Sequence, residues 1–366
     1  MRVALVCDFL TKFGGAQRVL LALSKIYPDA PIYCLLYDEK GAKGQFSGKK
    51  IIPSYLQKMP SIIRRPKFLF SRYPAAIENF DFSDFDLVIS SSDSFAHGVI
   101  TKPKTTHICY CHTPMRYAWD WTNEYLKENK IGFGPKGLYV RYLLYKTRIW
   151  DRVAADRVDY WIANSKNTQS RIKKYYKADS EVIYPPIDLL EIDDSPKSED
   201  FYLIISRLEP YKNIGLAVDT FSENKKKLVI IGEGSDFSKL KSKSSSNISF
   251  LGWQNDKEAH DYLSKCKAFI FPGEDDFGMT PVEAMAAGKP VIALGRGGVL
   301  ESVIEGKTGI LFNKETVKSL NLAIDSFEAK QFFPADCRAQ AEKFGSVVFE
   351  DKIKKAVEKA VRKGDR

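Results

Sequence analysis

The chain has 366 residues, 44% of them hydrophobic and 28% charged, which describes a folded protein and, at this length, two domains of about 150 to 200 residues rather than one core. No apolar run is long enough to span a bilayer, and the opening Met1-Arg-Val-Ala-Leu-Val-Cys-Asp is too short for a signal peptide and reads as a strand, so a cytoplasmic protein is expected. A formal net charge of +10 fits nucleic acid, an anionic membrane face or a phosphorylated substrate without selecting among them, and a solvated basic face would also account for it.

In chain order, short runs rich in Val, Ile, Phe and Tyr alternate with longer amphipathic stretches. Strands are expected at Arg2–Cys7, Ala30–Leu35, Leu87–Ser90, Thr106–Cys109, Tyr160–Ala163 and Glu181–Tyr184, with helices such as Gln17–Ile26 and Ser165–Tyr176 between them. Pro185-Pro186-Ile187-Asp188 closes this set, and the acidic stretch Leu189–Asp200 reads as a linker. A second set follows at Phe201–Ile205, Lys227–Ile231, Ile248–Leu251, Ala268–Phe271, Pro290–Ala293 and Gly309–Phe312, with helices such as Asn213–Ser222 and Thr280–Ala287. Strands alternating with helices imply parallel sheets covered on both faces, hence an α/β protein of two doubly wound, Rossmann-like domains, 1–188 and 189–345. The tail 346–366 repeats Phe349, Ile353, Ala356, Val357 and Val361 at helical spacing and is expected to pack back toward the first domain.

Two stretches are less regular. Ser54–Phe80 interleaves Lys58, Arg64, Arg65, Lys67 and Arg72 with large apolar residues, which suits either a membrane-surface segment or a helical pair covering the first domain. Asn123–Tyr145 holds glycines, a proline and many aromatics. Cys7, Cys34, Cys109, Cys111, Cys266 and Cys337 have neither zinc-site spacing nor a disulfide framework, and read as reduced core residues.

Four segments carry chemistry. Gly14 and Gly15 precede the first helix, where small residues let backbone N–H groups approach a phosphate, or simply allow a tight turn. Neither a dinucleotide fingerprint nor a Walker lysine accompanies them. His107-Ile-Cys-Tyr-Cys-His112-Thr-Pro-Met-Arg116 delivers His112 past a strand end, where open α/β sheets build their sites. Ser206-Arg207-Leu-Glu-Pro-Tyr-Lys212 places two cations across a turn, able to converge on one diphosphate. In Pro272-Gly-Glu274-Asp275-Asp-Phe277-Gly278-Met279-Thr280-Pro281-Val-Glu283, an acidic loop leads into a helix with Thr280 as its expected cap and Pro281 at its first position. The amides of Gly278, Met279 and Thr280 would face a phosphate or sugar oxygen, and Asp275 and Glu283 could accept hydrogen bonds from vicinal hydroxyls. Thr280 and Glu283 also have capping-box spacing, so Glu283 as a mere cap stands beside Glu283 as a ligand. No metal-ligand cluster and no nucleic-acid motif is found.

Taken in this order over nearly the whole chain, together with Ile162-Ala-Asn-Ser165 and Tyr184-Pro-Pro-Ile-Asp188, these segments resemble glycosyltransferase family 4, whose members have the GT-B fold of two domains facing across a cleft. The resemblance implies a retaining transferase using a nucleotide-sugar donor, with no cofactor and no metal. It assigns Arg207 and Lys212 to the donor diphosphate, Glu283 to the ribose, and Gly278, Met279 and Thr280 to backbone contacts beside Phe277. It places His112 near the transferred sugar, Gly15 at the phosphate, and Gly234 and Trp253 near the nucleotide. The family's first acid falls on Asp275 in place of Glu, with Glu274 beside it. The wording around His112 and Phe277 is most similar to bacterial mannosyltransferases of surface-polysaccharide assembly. That implies GDP-mannose as donor, a glycan or polyprenyl-diphosphate acceptor, and an inner-membrane surface reached through segment 54–80. A non-catalytic relative would be expected to lose Arg207, Lys212 or Glu283, and all three are present; a nucleotide-sugar epimerase or a sugar-phosphate synthase of the same fold stays open.

Overall fold

A computed structural model describes residues 1–60, 69–189 and 198–364. The centre of the basic segment (61–68) and most of the expected linker (190–197) lie outside the described residues. The chain divides into two compact units, Met1–Pro186 with Phe349–Arg366, and Ile187–Val348.

The first unit is built on β1 (Val3–Leu10), β2 (Ile32–Tyr37), β3 (Ile51–Pro53), β4 (Leu87–Ser92), β5 (Thr106–Cys111), β6 (Tyr160–Ala163) and β7 (Ser180–Val182). They form one parallel sheet in the order β3-β2-β1-β4-β5-β6-β7, with Leu5 of β1 in register with Ile32 and Ile89. The order reverses between β1 and β4, which is where a doubly wound sheet opens a crevice at its carboxyl edge. Strands covered on both faces need near-continuous apolar runs, and Ala4, Leu5 and Val6 are all fully buried. Around the sheet lie α1 (Gly15–Ile26), α2 (Tyr73–Glu78), α3 (Thr122–Glu128), α4 (Pro135–Ala155) and α5 (Lys166–Tyr175).

The second unit has β8 (Tyr202–Ile205), β9 (Leu228–Ile231), β10 (Ile248–Gly252), β11 (Ala268–Phe271), β12 (Val291–Leu294) and β13 (Gly309–Phe312), again parallel, in the order β10-β9-β8-β11-β12-β13. Its reversal point lies between β8 and β11. Its helices are α6 (Ile214–Asn224), α7 (Phe237–Lys243), α8 (Asp256–Lys265), α9 (Met279–Ala286), α10 (Val299–Ser302), α11 (Val317–Glu328) and α12 (Pro334–Ala341). The last helix, α13 (Ser346–Gly364), sends Phe349, Ile353, Ala356, Val357 and Ala360 into the core of the first unit, beside Leu5, Leu20 and Ile89.

Several expectations shift. β1 runs on to Leu10 and β5 to Cys111, because Asp8 and Cys111 are enclosed with the strands that precede them. β2 starts at Ile32, β7 covers Ser180–Val182, and β3 is a three-residue edge strand that periodicity did not reveal. Asn123–Tyr145 is not irregular: it spans most of α3 and the first half of α4. All six cysteines are buried, and none is in a disulfide. In the described parts of segment 54–80, Leu56, Leu69 and Tyr73 are in the core, while Lys58 and Arg72 are exposed.

Candidate functional site

In the second unit, the carboxyl edge of the sheet gathers the expected donor residues. After β8 the chain is held down by buried Leu208, whose N–H donates to the Glu233 carbonyl at 2.9 Å. It then makes a tight turn over Pro210–Lys212 and passes through Asn213 in the left-handed conformation (φ 52°), so α6 begins one residue later than expected. This turn aims Lys212 at the neighbouring loop. Its ammonium donates to Asp275 Oδ1 at 2.6 Å and also to Oδ2. The same ammonium lies 5.3 Å from the Tyr211 ring centroid and 6.0 Å from that of Phe271. Arg207 donates to the Tyr211 hydroxyl at 2.5 Å. Both cations therefore converge on Tyr211, at the reversal point between β8 and β11.

Glycines bring the surrounding loops together. A Cβ on Gly273 would stand 2.6 Å from the Lys212 carbonyl oxygen, and one on Gly234 would stand 2.3 Å from that of Leu208. Gly297 takes φ +68°, and a Cβ there would meet the Asp275 carbonyl oxygen at 2.3 Å; the next residue, Gly298, donates its N–H to that oxygen at 2.9 Å. The loops after β8, β9, β11 and β12 thus pack backbone against backbone. Trp253 follows the end of β10 on the same edge and is largely exposed.

The start of α9 corrects one expectation. Gly278 (φ 81°) is the cap, so Met279 and Thr280 are the first two helical residues and Pro281 the third. Glycine reaches this left-handed conformation without the penalty a Cβ would bring. Capping-box spacing from Gly278 ends at Pro281, so the capping-box reading of Glu283 falls away. The N–H groups of Met279 and Thr280 have no acceptor within the helix. Buried Phe277 packs its ring against that of Phe344, with the centroids 5.5 Å apart and the planes tilted by 54°, and so fixes the approach to this turn. Glu274, Asp275, Asp276 and Glu283 are each half-buried around it.

In the first unit, Gly14 is the extended cap of α1 and Gly15 its first residue, so this helix begins two residues before the expected Gln17. A small cavity lined by Cys7, Asp8, Ala16, Gln17, Ser91 and Asp93 lies beside that turn. His112 follows β5; its Nε2 is 2.8 Å from Ser91 Oγ and its carbonyl accepts from Thr168 Oγ1 at 3.1 Å. Burial lowers its pKa to about 4, so the ring is neutral near pH 7.

Asp8, at the reversal point of this sheet, was missed by sequence reasoning. Its carboxylate accepts the N–H groups of Asp93, Ser94, Phe95 and Ala96, holding the loop after β4 to the end of β1. Burial, helped by the Asp93 charge, pushes its pKa up to about 7 against the opposing amides of Asp93, Phe95 and Ala96. An ionisable residue directly after an apolar strand is the signal that could have found it. Among the described residues, no group of three or more His, Cys, Asp or Glu is placed to hold a metal ion.

Residues 13–190 match the profile of Glycosyltransferase Family 4, and residues 189–344 that of Glycosyl transferases group 1. The alpha-1,3/1,6-mannosyltransferase ALG2 of Dictyostelium discoideum is 28% identical over 260 residues, taking in 57% of this chain and 58% of that protein. The O-antigen chain mannosyltransferase RfbU of Salmonella typhimurium is 28% identical over 175 residues, 42% of this chain and 45% of its own length. The chain thus spans about half the length of these relatives. Among solved structures, Anabaena Alr3699/HepE in complex with UDP superposes with a TM-score of 0.71 at 18% identity, covering 98% of this chain and 100% of that one. Such a likeness shows a shared fold.

Proposed function

The chain belongs to glycosyltransferase family 4 and has its GT-B fold, and on that premise we propose that it transfers mannose from GDP-mannose, with retention, onto a glycan or polyprenyl-diphosphate-linked acceptor in polysaccharide assembly. The observation that carries this reading is the convergence of Arg207 and Lys212 on Tyr211 at the reversal point of the second sheet, beside the open N-terminus of α9.

Arg207 and Lys212 take the donor diphosphate and offset the charge that builds on it as it leaves, so no metal is required. The Met279 and Thr280 amides hold one of its oxygens, and Glu283 accepts from the ribose hydroxyls. Asp275, with Glu274 beside it, accepts from the sugar hydroxyls. Neutral His112 hydrogen-bonds the transferred sugar, and Gly15 approaches the phosphate. The bond from the anomeric carbon to the phosphate oxygen breaks while the acceptor oxygen bonds on the same face. The leaving phosphate oxygen receives the acceptor's proton, so retention needs no protein base.

The mannosyltransferase relatives support the sugar, and a membrane-carried acceptor would place the enzyme on the cytoplasmic face of the inner membrane. Among the described residues, no helix is long and apolar enough to cross a membrane. A second reading, transfer from a UDP-linked sugar, is favoured by the solved relative holding UDP. Nucleotide release from a panel of GDP- and UDP-sugars, with and without acceptor and in the presence of EDTA, separates these. Fastest turnover of GDP-mannose is expected, and exclusive use of a UDP-sugar would overturn the donor assignment. Hydrolysis of none would favour a binding protein. Product anomers read by NMR test retention.

A further inference from the structure

The helix α4 buries one face and leaves the opposite one bare. Leu144, Thr147, Asp151 and Ala154 point inward, and Asp151 accepts from Trp119 Nε1 at 2.6 Å and from the Tyr176 hydroxyl at 3.1 Å. On the other side Leu138, Tyr142, Tyr145, Ile149 and Val153 recur at four- and three-residue steps, each between 44% and 57% exposed. They form one stripe about 22 Å long at the rise of an α-helix. A soluble helix normally turns such a stripe to the core.

Charge frames this stripe. By the 3.6-residue turn, Arg141 and Arg152 flank one side and Lys146 the other. The Arg141 guanidinium sits 4.2 Å from the Phe133 ring centroid, and Phe133 is itself 78% exposed just before the helix. The only acid on α4 is the buried Asp151; Asp156, just past its end, is paired with Arg152. Two copies meeting on this face would bring like charges together. An anionic lipid surface instead offers negative headgroups to the flanks and an apolar boundary to the stripe. Tyrosines suit that boundary because the ring is apolar and the hydroxyl stays wet.

We propose that the exposed face of α4 lies in the plane of an anionic bilayer and holds the protein there. This deepens the membrane-carried acceptor of the preceding section, and its test reads binding without transfer, so either can fail alone.

The full chain is sedimented with vesicles of phosphatidylcholine, alone or with about one-third phosphatidylglycerol. Sedimentation with the anionic vesicles only is expected. The variant Tyr142→Ser/Tyr145→Ser/Ile149→Ser should bind at least about tenfold more weakly, with an unchanged circular dichroism spectrum because these side chains are exposed. Should that variant misfold, Arg141→Gln/Lys146→Gln provides the same test on the flanks. Wild-type protein that stays in the supernatant would overturn the proposal, as would folded variants that sediment normally. Loss of binding on changing Lys58 and Arg72 alone would move the surface to segment 54–80. A wild-type dimer by light scattering that the triple variant abolishes would assign the stripe to a second copy instead.

Discussion

The Lys212 ammonium and the Asp275 carboxylate meet at 2.6 Å across the reversal point of the second sheet, joining the loop after β8 to the loop after β11. Their side chains are 14% and 22% exposed, so removing either leaves the other charge poorly solvated. On the proposed reading, a donor diphosphate arriving here would compete with Asp275 for the lysine and would free the carboxylate to accept from sugar hydroxyls.

The two residues should therefore behave as a unit in transfer. Lys212→Ala and Asp275→Ala are each expected to lower kcat/KM by about 10²-fold, and the double variant by far less than the product. Steady-state kinetics on the four proteins gives the coupling. Strict additivity would count against exchange of the lysine between carboxylate and diphosphate.

Glu283 separates binding from folding. Since Gly278 caps α9, Glu283→Gln is expected to shift Tm by less than about 2 °C. Donor KM should rise at least about tenfold, as one carboxylate acceptor for a hydroxyl pair becomes an amide. A large fall in Tm with unchanged KM would return Glu283 to a structural role.

Gly273 is packed against the Lys212 backbone with no room for a methyl group. Gly273→Ala should push the two loops apart, raising donor KM about tenfold or more and lowering stability by about 1–3 kcal/mol. Donor titration by calorimetry and urea unfolding read the two effects separately. Unchanged donor affinity would show that the loop spacing does not matter to binding.

Much of this architecture was legible because buried parallel strands must be apolar throughout. Ala268–Phe271 and Gly309–Phe312 stand exactly where such runs place them. Ile51–Pro53 was invisible, being three residues long and ending in a proline that only an edge strand accepts. The helix α4 was obscured for the opposite reason: its bare stripe adds to its buried one, so no single face stands out in the sequence. Thr280 looked like a cap because its residue type is the usual one. Glycine at 278 took that place because the turn needs a positive φ, which residue preference alone does not disclose. Asp8 does its work through the backbone of residues 93–96, a partner that no local pattern announces.

Stability against pH should show two opposed buried groups. Burial lowers the His107 pKa from 6.5 to about 3, so between those values the unfolded chain takes a proton the folded one refuses. Stability is then lost as pH falls, by up to about 1.4 kcal/mol per pH unit. Asp8, raised from 3.8 to about 7, does the reverse: the folded chain keeps its proton, and stability is lost as pH rises through that window. Urea midpoints at pH 7 and pH 5 should show His107→Gln losing less stability on acidification than wild type, and Asp8→Asn losing more. Identical shifts in all three proteins would refute both assignments.

The chain leaves its first unit at Pro186 and returns to it at Phe349, having completed the second in between. During synthesis the second unit therefore has all its residues while the first still lacks Phe349, Ile353, Ala356, Val357 and Ala360, which seal the apolar interior around Leu5 and Leu20. The usual order, in which the N-terminal body matures first on the ribosome, is inverted for its final step. A stalled chain ending near residue 348 should hold a finished C-terminal body and an N-terminal one still open to protease.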